Sequence, residues 1–183
     1  MGAVAPLAHC GFEVIPRMST PQMMAVDQAL AEVEVPRPDP GRWVWQLAGV
    51  ARQMRAAIGR HRDIIPASAG FLTGGGWALR CHERVLAIMR ACGLLDSRSV
   101  AGLYLLWIIV SGFSLAETQA GEPEPPDPDL APAVSRYFAS LPDDRFPSMV
   151  AVAGEFAQTD LDERFEQLIA IFIDGLTKQA GRS

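Results

Sequence analysis

Apolar residues recur along most of the chain with the spacing of one helical face. In the last apolar stretch, from Asp160 to Lys178, they stand at i, i+3, i+4, i+7, i+8 and i+11: Phe165, Leu168, Ile169, Phe172, Ile173 and Leu176. A second stretch, from about Gly41 to His61, has its own apolar face: Trp43, Leu47, Val50, Met54 and Ile58. Such stripes predict helices that bury one face in a core. No segment alternates apolar and polar residues over a strand's length without fitting a helix better, so the sequence predicts an all-α bundle of about seven to nine helices.

Capping and breaking residues place the ends of the helices. Thr20-Pro21 sets a capping residue before a proline and starts a first helix that runs to about Val33. VPRPDPG breaks that helix, and the acidic, proline-rich GEPEPPDPDLAP forms a loop. The same signals predict a short helix near Asp63–Gly70 and a helix over Trp77–Cys92 that ends at Gly93. They also predict a long helix that is capped by Asp96 or Ser97 and ends near Thr118. Two short helical pieces near Leu130–Leu141 and Phe146–Ala157 follow, and then a last helix capped by Asp160. We expect an irregular tail at residues 1–19 and one helical domain at 20–180.

Two of these helices are apolar on more than one side. Ser99–Ala116 holds 18 uncharged residues, which only just reaches the length of a membrane span, and small residues near its end dilute it. We therefore expect a buried helix and no membrane association. In the last helix, Ile171 lies off the apolar stripe. One chain of this size does not easily bury two such helices, so we expect a homodimer in which Leu105–Val110 and Ile169–Ile173 are buried between subunits in a four-helix interface.

Charge and cysteine content narrow the classes of function. The net charge is −5 and no run of Lys or Arg exceeds two residues, so the sequence shows no basic cluster that would neutralise nucleic-acid phosphates. The cysteines, Cys10, Cys81 and Cys92, are odd in number and widely spaced. This pattern argues against a disulfide framework and for the reducing cytoplasm. The apolar N-terminus has no basic start and contains two prolines, which does not fit a signal peptide.

Three stretches in a defined order carry a family resemblance. They are RAAIGRHRDIIPASAG, then ERVLAIMRACGLLDSRSVAGLYLLWIIVSGFSLAE, then ERFEQLIAIFIDGL. In order and spacing they resemble the end of the second long helix, the helix–turn–apolar helix unit and the closing helix of one domain. That domain is the C-terminal ligand-binding and dimerisation domain of the tetracycline-repressor family of bacterial transcription regulators. The resemblance covers roughly Thr20–Gln179 and implies a dimeric helical bundle that senses a hydrophobic small molecule, such as a natural product.

The resemblance also implies an N-terminal helix-turn-helix domain ahead of this region. Only about 19 residues precede the first predicted helix, whereas a helix-turn-helix needs three helices to hold its recognition helix in the major groove. We therefore expect a sensor without its own DNA-binding domain, and no direct nucleic-acid contact by this chain.

The pocket positions that the resemblance implies lie on four helices. They are Val50, Met54, Ser68, Phe71, His82, Val85, Met89, Trp107, Ser111 and Glu117. Trp77 joins them because it ends FLTGGGW, a segment that we expect near the mouth of an elongated apolar cavity. Val50, Phe71 and Val85 are apolar at positions where the tetracycline-binding members of the family tend to be polar. The resemblance therefore does not imply tetracycline and its metal ion as the ligand. Aromatic and sulfur side chains could equally be plain core, and buried polar groups often bond to backbone carbonyls instead of a ligand.

Two alternatives to a plain sensor remain open on the sequence. The same cavity could act as an enzyme on a hydrophobic natural product, with His82 and Glu117 as acid and base. The chain could also form mixed dimers with full-length regulators. A metal site built from His9-Cys10 and Cys81-His82 is not favoured, because adjacent helical residues point in different directions. The glycines of TGGGW could present backbone N–H groups to an anion, although the phosphate-loop Lys is missing, and no cofactor is expected.

Overall fold

The computed structural model describes residues 20–61, 75–119, 129–157 and 160–180, and every regular element in them is helical. The helices are α1 (Thr20–Leu30), α2 (Trp43–Arg60), α3 (Gly76–Ala91), α4 (Asp96–Gln119), α5 (Leu130–Ala139), α6 (Pro147–Ala151), a 3₁₀-helix (Ala153–Ala157) and α7 (Leu161–Ala180). The predicted all-α class is confirmed. The short helix predicted near Asp63–Gly70 and the tail at residues 1–19 lie outside the described residues.

The core gathers around α4, which contacts α2, α3 and α7. Four inward side chains of α4 are buried: Leu103, Leu106, Trp107 and Val110. Four side chains of the predicted apolar face of α2 are also buried, which confirms that face: Leu47, Val50, Met54 and Ile58. Burying a side chain of this size stabilises the fold by about 1.5–3 kcal/mol relative to leaving it exposed. These two rows therefore supply much of the packing energy that holds α2 against the rest of the bundle.

The other side of α4 is apolar and exposed. By length and composition α4 could cross a membrane, but half of that stretch is buried inside the bundle, as in the core helix of a globular domain. Its exposed apolar residues are Val100, Tyr104, Leu105 and Ile108. On α7, Ile171 is 71% exposed, and Leu168, which the stripe assigned to the core, is 38% exposed.

These exposures correct the predicted dimer contact. The segments Leu105–Val110 and Ile169–Ile173 were expected to be buried between subunits. Half or more of the residues in each segment instead lie in the subunit's own core: Leu106, Trp107, Val110, Ile169, Phe172 and Ile173. The prediction is wrong for these residues, because α4 and α7 turn one face inward against each other and against α2. What remains available to a partner is the outer face, which we call the α4/α7 face and define as Val100, Tyr104, Leu105, Ile108, Leu168 and Ile171.

Local hydrogen bonds explain where the helices end. After α3, Gly93 has φ +88°, Gly93 N donates to Arg90 O (3.1 Å) and Leu94 N donates to Met89 O (3.3 Å). This is a Schellman ending, and it confirms Gly93 as the stop. Before α7, Asp160 Oδ1 accepts from the backbone N–H groups of the second and third residues that follow, at 2.9 and 3.1 Å, as predicted for a cap.

The start of α4 differs from the prediction. The carbonyl of Leu95 accepts the first turn's backbone bonds, and Asp96 already lies inside the helix. The Asp96 carboxylate instead accepts a hydrogen bond from Arg90 Nε at 2.8 Å. An acidic side chain in the first turn still favours the helix through its dipole.

The start of α3 is capped from another helix. Asp27 Oδ1, on α1, accepts hydrogen bonds from the backbone N–H groups of Trp77 (2.9 Å) and Ala78 (2.8 Å). Gly75, the residue before α3, has no side chain to make this bond itself. The cap therefore ties α1 to α3 across the sequence.

Residues 129–157 form a small unit of their own. Helix α5 packs on the 3₁₀-helix and on α6. The rings of Phe138 and Phe156 stack with centroids 4.2 Å apart, and Tyr137 meets Phe138 edge-on at 5.2 Å. This aromatic cluster holds the unit together.

Candidate ligand-binding site

Seven of the eleven predicted pocket positions lie on the buried faces of α2, α3 and α4. Met54 comes from α2, Val85 and Met89 from α3, and Trp107 from α4, and each is at most 2% exposed. All four belong to the buried cluster that forms the hydrophobic core of the fold. None of them lines either of the two clefts described below, so the expected cavity between these helices stays a prediction. Ser68 and Phe71 lie outside the described residues.

His82 is a buried polar group that contacts this cluster through Trp107. It is 6% exposed, and its ring lies edge-on to Trp107 with centroids 6.0 Å apart. Its Nε2 atom is buried and has no hydrogen-bond partner in the described part of the chain. Burial lowers the pKa of His82, because the surrounding apolar side chains disfavour the imidazolium. The neutral ring can donate or accept one further hydrogen bond.

Two of the serines of α4, Ser111 and Ser114, differ in their hydrogen bonding. Ser111 Oγ donates to the carbonyl of Trp107 at 2.7 Å, which is the local bond that a helical serine often makes. Ser111 is therefore satisfied without a ligand. Ser114, which we did not predict, is 1% exposed, and its Oγ has no partner among the described residues. The only sequence signal was a hydroxyl in an otherwise apolar helix.

Glu117 is engaged elsewhere. Its carboxylate forms a two-pronged ion pair with the guanidinium of Arg55, which also pairs with Asp162 at 2.8 Å. The bond to Glu117 raises the pKa of Arg55 further, and the guanidinium stacks over Phe113 and Phe165, with Cζ 5.0 and 4.7 Å from the ring centroids. This cluster links α2, α4 and α7.

The acid–base pair required by the enzyme alternative is not assembled. His82 contacts Trp107, which lies ten residues before Glu117 on α4. Ten residues correspond to about 15 Å along a helix axis. A histidine and a carboxylate so far apart do not act on the same bond.

Val50 and Trp77 line a surface cleft of about 530 Å³ beside the buried cluster. We call it the tryptophan cleft, and its lining includes Glu34, Trp45, Gly49, Val50, Trp77 and Arg80. Its walls come from the end of α1, the first half of α2 and the first half of α3. A volume of this size falls within the range of small-molecule sites, about 300–1,000 Å³.

One wall of the tryptophan cleft is the segment 34–39 between α1 and α2. Gln53 exchanges two hydrogen bonds with the backbone of Glu34, at 2.8 and 3.1 Å. Gln46 Nε2 donates to the carbonyl of Arg37 at 2.6 Å, and its Oε1 accepts from Asp39 N at 3.1 Å. Arg84 donates to the carbonyl of Val35 at 2.6 Å. Side chains of α2 and α3 thus hold the segment in place.

A second cleft, of about 370 Å³, lies at the other end of α2 and contains Ser114 and Glu117. Three arginines line it, and each is paired with a carboxylate: Arg52 with Glu166, Arg55 with Glu117 and Asp162, and Arg60 with Glu32. We call it the arginine cleft. Within the described ranges, no group of three His, Cys, Asp or Glu side chains is placed to hold a metal ion.

The sequence matches the family described as tetracyclin repressor-like, C-terminal domain, over residues 35–180. The chain belongs to the tetracycline repressor family. Among solved structures, apo ActR from Streptomyces coelicolor is 32% identical, with a TM-score of 0.76 over 87% of this chain and 75% of the ActR chain. ActR in complex with actinorhodin gives the same identity and TM-score over 87% and 76%. The complex with (S)-DNPA gives 31% and 0.74 over 87% and 75%. No curated protein matches the sequence significantly.

Sequence patterns did not reveal the whole site of this tetracycline repressor family member. Trp45 and Arg80, which line the tryptophan cleft, lie off the apolar faces of their helices and were not assigned to a site. Only the fold brings them to the same surface as Trp77. The backbone N–H groups of Trp77 and of the next residue, Ala78, are not open to an anion, because Asp27 already accepts from both.

Proposed function

We propose that the described helices form the small-molecule-sensing domain of a cytoplasmic transcription regulator, with the ligand bound where α2, α3 and α4 meet. The observation that carries this proposal is His82, a buried imidazole whose Nε2 has no partner among the described residues. Buried polar groups are nearly always hydrogen-bonded, and a group left unpaired costs about 1–3 kcal/mol. A ligand oxygen or hydroxyl beside Trp107 removes that cost, and so gains affinity and orientation.

The surroundings of His82 define the class of ligand. Trp107, Met54 and Met89 are apolar, polarisable and buried, and side chains of this kind favour contact with flat hydrophobic rings. ActR, at 32% identity, has been solved with actinorhodin bound. We therefore propose a hydrophobic natural product as the ligand, with actinorhodin as the first test compound, and no cofactor or metal.

The α4/α7 face supports a homodimer as the functional unit. Its six exposed apolar residues lie on two helices that pack against each other. Large exposed apolar residues on neighbouring helices commonly mark a protein interface. Two copies that meet through this face would contribute two helices each and form a four-helix interface.

We also propose that this sensing domain does not contact DNA directly. The net charge is −5, and the arginines of the arginine cleft are all neutralised by carboxylates. Nucleic-acid binding depends on several basic side chains that neutralise phosphates together, and it falls steeply with salt. A mobility-shift assay with the chain's own promoter at low salt should show weak association at most, whereas a salt-sensitive, sequence-specific complex would overturn this part of the proposal.

Melting temperature in the presence of actinorhodin tests the sensing proposal. A ligand that binds only the folded state raises the free energy of unfolding by mass action, by about 2.7 kcal/mol when its concentration is a hundred times its dissociation constant. The melting temperature rises with it. Trp107→Ala should abolish the rise, because it removes the ring beside His82. Trp43→Ala, which changes a tryptophan at the start of α2 that lines neither cleft, should keep it. An equal rise in both variants would place the compound elsewhere.

A further inference from the structure

We propose that the tryptophan cleft is a second ligand site, distinct from the buried cluster around His82, and that it binds a planar aromatic molecule carrying a carboxylate or similar acidic group. The first observation is the placement of two indole rings. Trp45 is 60% exposed and Trp77 is 46% exposed, yet they lie on different helices and line the same cleft. Exposed tryptophans that converge on a concave surface offer flat apolar faces to a ring system.

The floor of the cleft is apolar and uncharged. Leu30 and Val50 are buried there, and Cys81 is 4% exposed. Burial raises the pKa of the Cys81 thiol to about 11, so it is neutral at physiological pH and does not repel an anion. A flat ring therefore finds apolar contact beneath it as well as at the two indoles.

The charge on the rim selects an acidic ligand. Arg80 lies over Trp77, with Cζ 4.9 Å from the ring centroid, and has no carboxylate partner in the described part of the chain. Arg84 uses one N–H for the carbonyl of Val35 but keeps its charge. Among the described lining residues, Glu34 is the one acidic side chain against two arginines, so these residues carry a net positive charge. The N–H groups of Trp77 and Ala78 at the start of α3 are already bonded to Asp27, and Arg84 is bonded to Val35, so the guanidinium of Arg80 is the anion contact that we propose.

The cleft is also held open. The bonds from Gln46, Gln53 and Arg84 to segment 34–39 fix its outer wall. At Gly49, on the α2 wall, an added Cβ would meet nothing within 4 Å. A pre-formed site loses less conformational entropy on binding, so small rigid molecules can bind without rearranging the helices.

Two matched compounds test the acid requirement: anthraquinone-2-carboxylate and its uncharged carboxamide, titrated by calorimetry into the full chain. The carboxylate should bind more tightly than the amide. Arg80→Gln should weaken the carboxylate about fivefold, the upper range for a partly exposed charge pair, and leave the amide unchanged. Equal affinity of the two compounds for the native chain would contradict the charge assignment.

Two glycines of α2 test the location. Gly49→Phe should fill the cleft and block both compounds, while Gly59→Phe, on the same helix and equally open but in the arginine cleft, should leave binding unchanged. Trp45→Ala, at an exposed position, should weaken both compounds without unfolding the chain. If binding survives Gly49→Phe but is lost in Trp107→Ala, the compounds occupy the buried site, and the cleft inference is wrong while the sensing proposal stands. Absence of any binding also overturns the cleft inference.

Discussion

Asp27 reaches the N-terminus of α3 because residue 75 is glycine. A Cβ atom on Gly75 would lie 2.1 Å from Asp27 Oδ1, the oxygen that accepts from Trp77 N and Ala78 N. The backbone of Gly75 is extended, at φ −68° and ψ 163°, so any residue could adopt it. The requirement for glycine is therefore steric, and it comes from a residue on another helix.

Gly75→Ala should lower the free energy of unfolding by about 1–2 kcal/mol, the usual cost of a lost helix cap, because the carboxylate must move away. Gly76→Ala is the matched control, since nothing lies within 4 Å of a Cβ at that position. It should be neutral or stabilising by up to about 1 kcal/mol through higher helix propensity. Urea titrations of both variants measure the difference, and equal effects would show that Asp27 does not depend on glycine 75.

The ion pair between Arg55 and Glu117 should contribute more than the one between Arg52 and Glu166. The first pair is 18% and 25% exposed at its side chains, the second 50% and 45%. Double-mutant cycles with Arg→Met and Glu→Gln should give roughly 1–3 kcal/mol for the inner pair and below about 1 kcal/mol for the outer pair. Both are two-pronged pairs that involve α2, so the outer pair controls for geometry. A larger coupling at the outer pair would contradict the role given to burial.

His82 should make stability fall as the pH drops through its ordinary pKa. Burial lowers the pKa of His82 below its ordinary value of 6.5, so the unfolded chain binds the proton more readily than the folded chain. The stability that the lowered pKa of His82 contributes is fully present above the pKa of histidine in the unfolded chain, and it is lost as the pH falls below that value. The free energy of unfolding should therefore decrease more between about pH 7.5 and about pH 5.5 in the native chain than in His82→Gln. Identical slopes would mean that His82 titrates as it does in water.

The α4/α7 face should determine the oligomeric state. Ile171→Asp places a charge at a residue that is 71% exposed in the single subunit, so the monomer should fold normally. In a dimer that charge is buried without a partner, at a cost of roughly 3 kcal/mol or more, which raises the dissociation constant over a hundredfold. Leu130→Asp makes a similar change at a comparably exposed leucine on α5, and should leave association intact. Sedimentation at micromolar concentration distinguishes them, and a native chain that is monomeric there rules out the dimer.

Sequence patterns predicted the parts of the fold that depend on neighbouring residues. The α2 face, the stop at Gly93 and the cap at Asp160 each follow from residues within a few positions of each other. The start of α4 was less well predicted, because Asp96 has both a capping role and a partner, Arg90, six residues earlier. Periodicity also assigned Leu168 to the core, although it lies at the edge of the buried stripe.

Features that join distant parts of the chain could not be predicted in this way. Asp27 caps a helix that starts about fifty residues later, and nothing in its neighbourhood signals that partner. The commitment of Glu117 to Arg55 likewise depends on how α2 and α4 pack. Trp45 was not assigned to any site, because only the fold brings it to the cleft that Trp77 also lines. The predicted pocket list therefore captured the buried cluster and missed the surface beside it.

Hydrogen–deuterium exchange with and without actinorhodin tests the central claim most directly, because it locates the ligand as well as detecting it. We predict slower exchange in the segments of α2, α3 and α4 around Met54, His82 and Trp107, and no change in the α5–α6 unit. Protection reports the free energy of local opening, which a ligand raises only where it binds or where its contacts propagate. Unchanged exchange at saturating actinorhodin, or protection confined to residues 129–157, would contradict a ligand site between α2, α3 and α4.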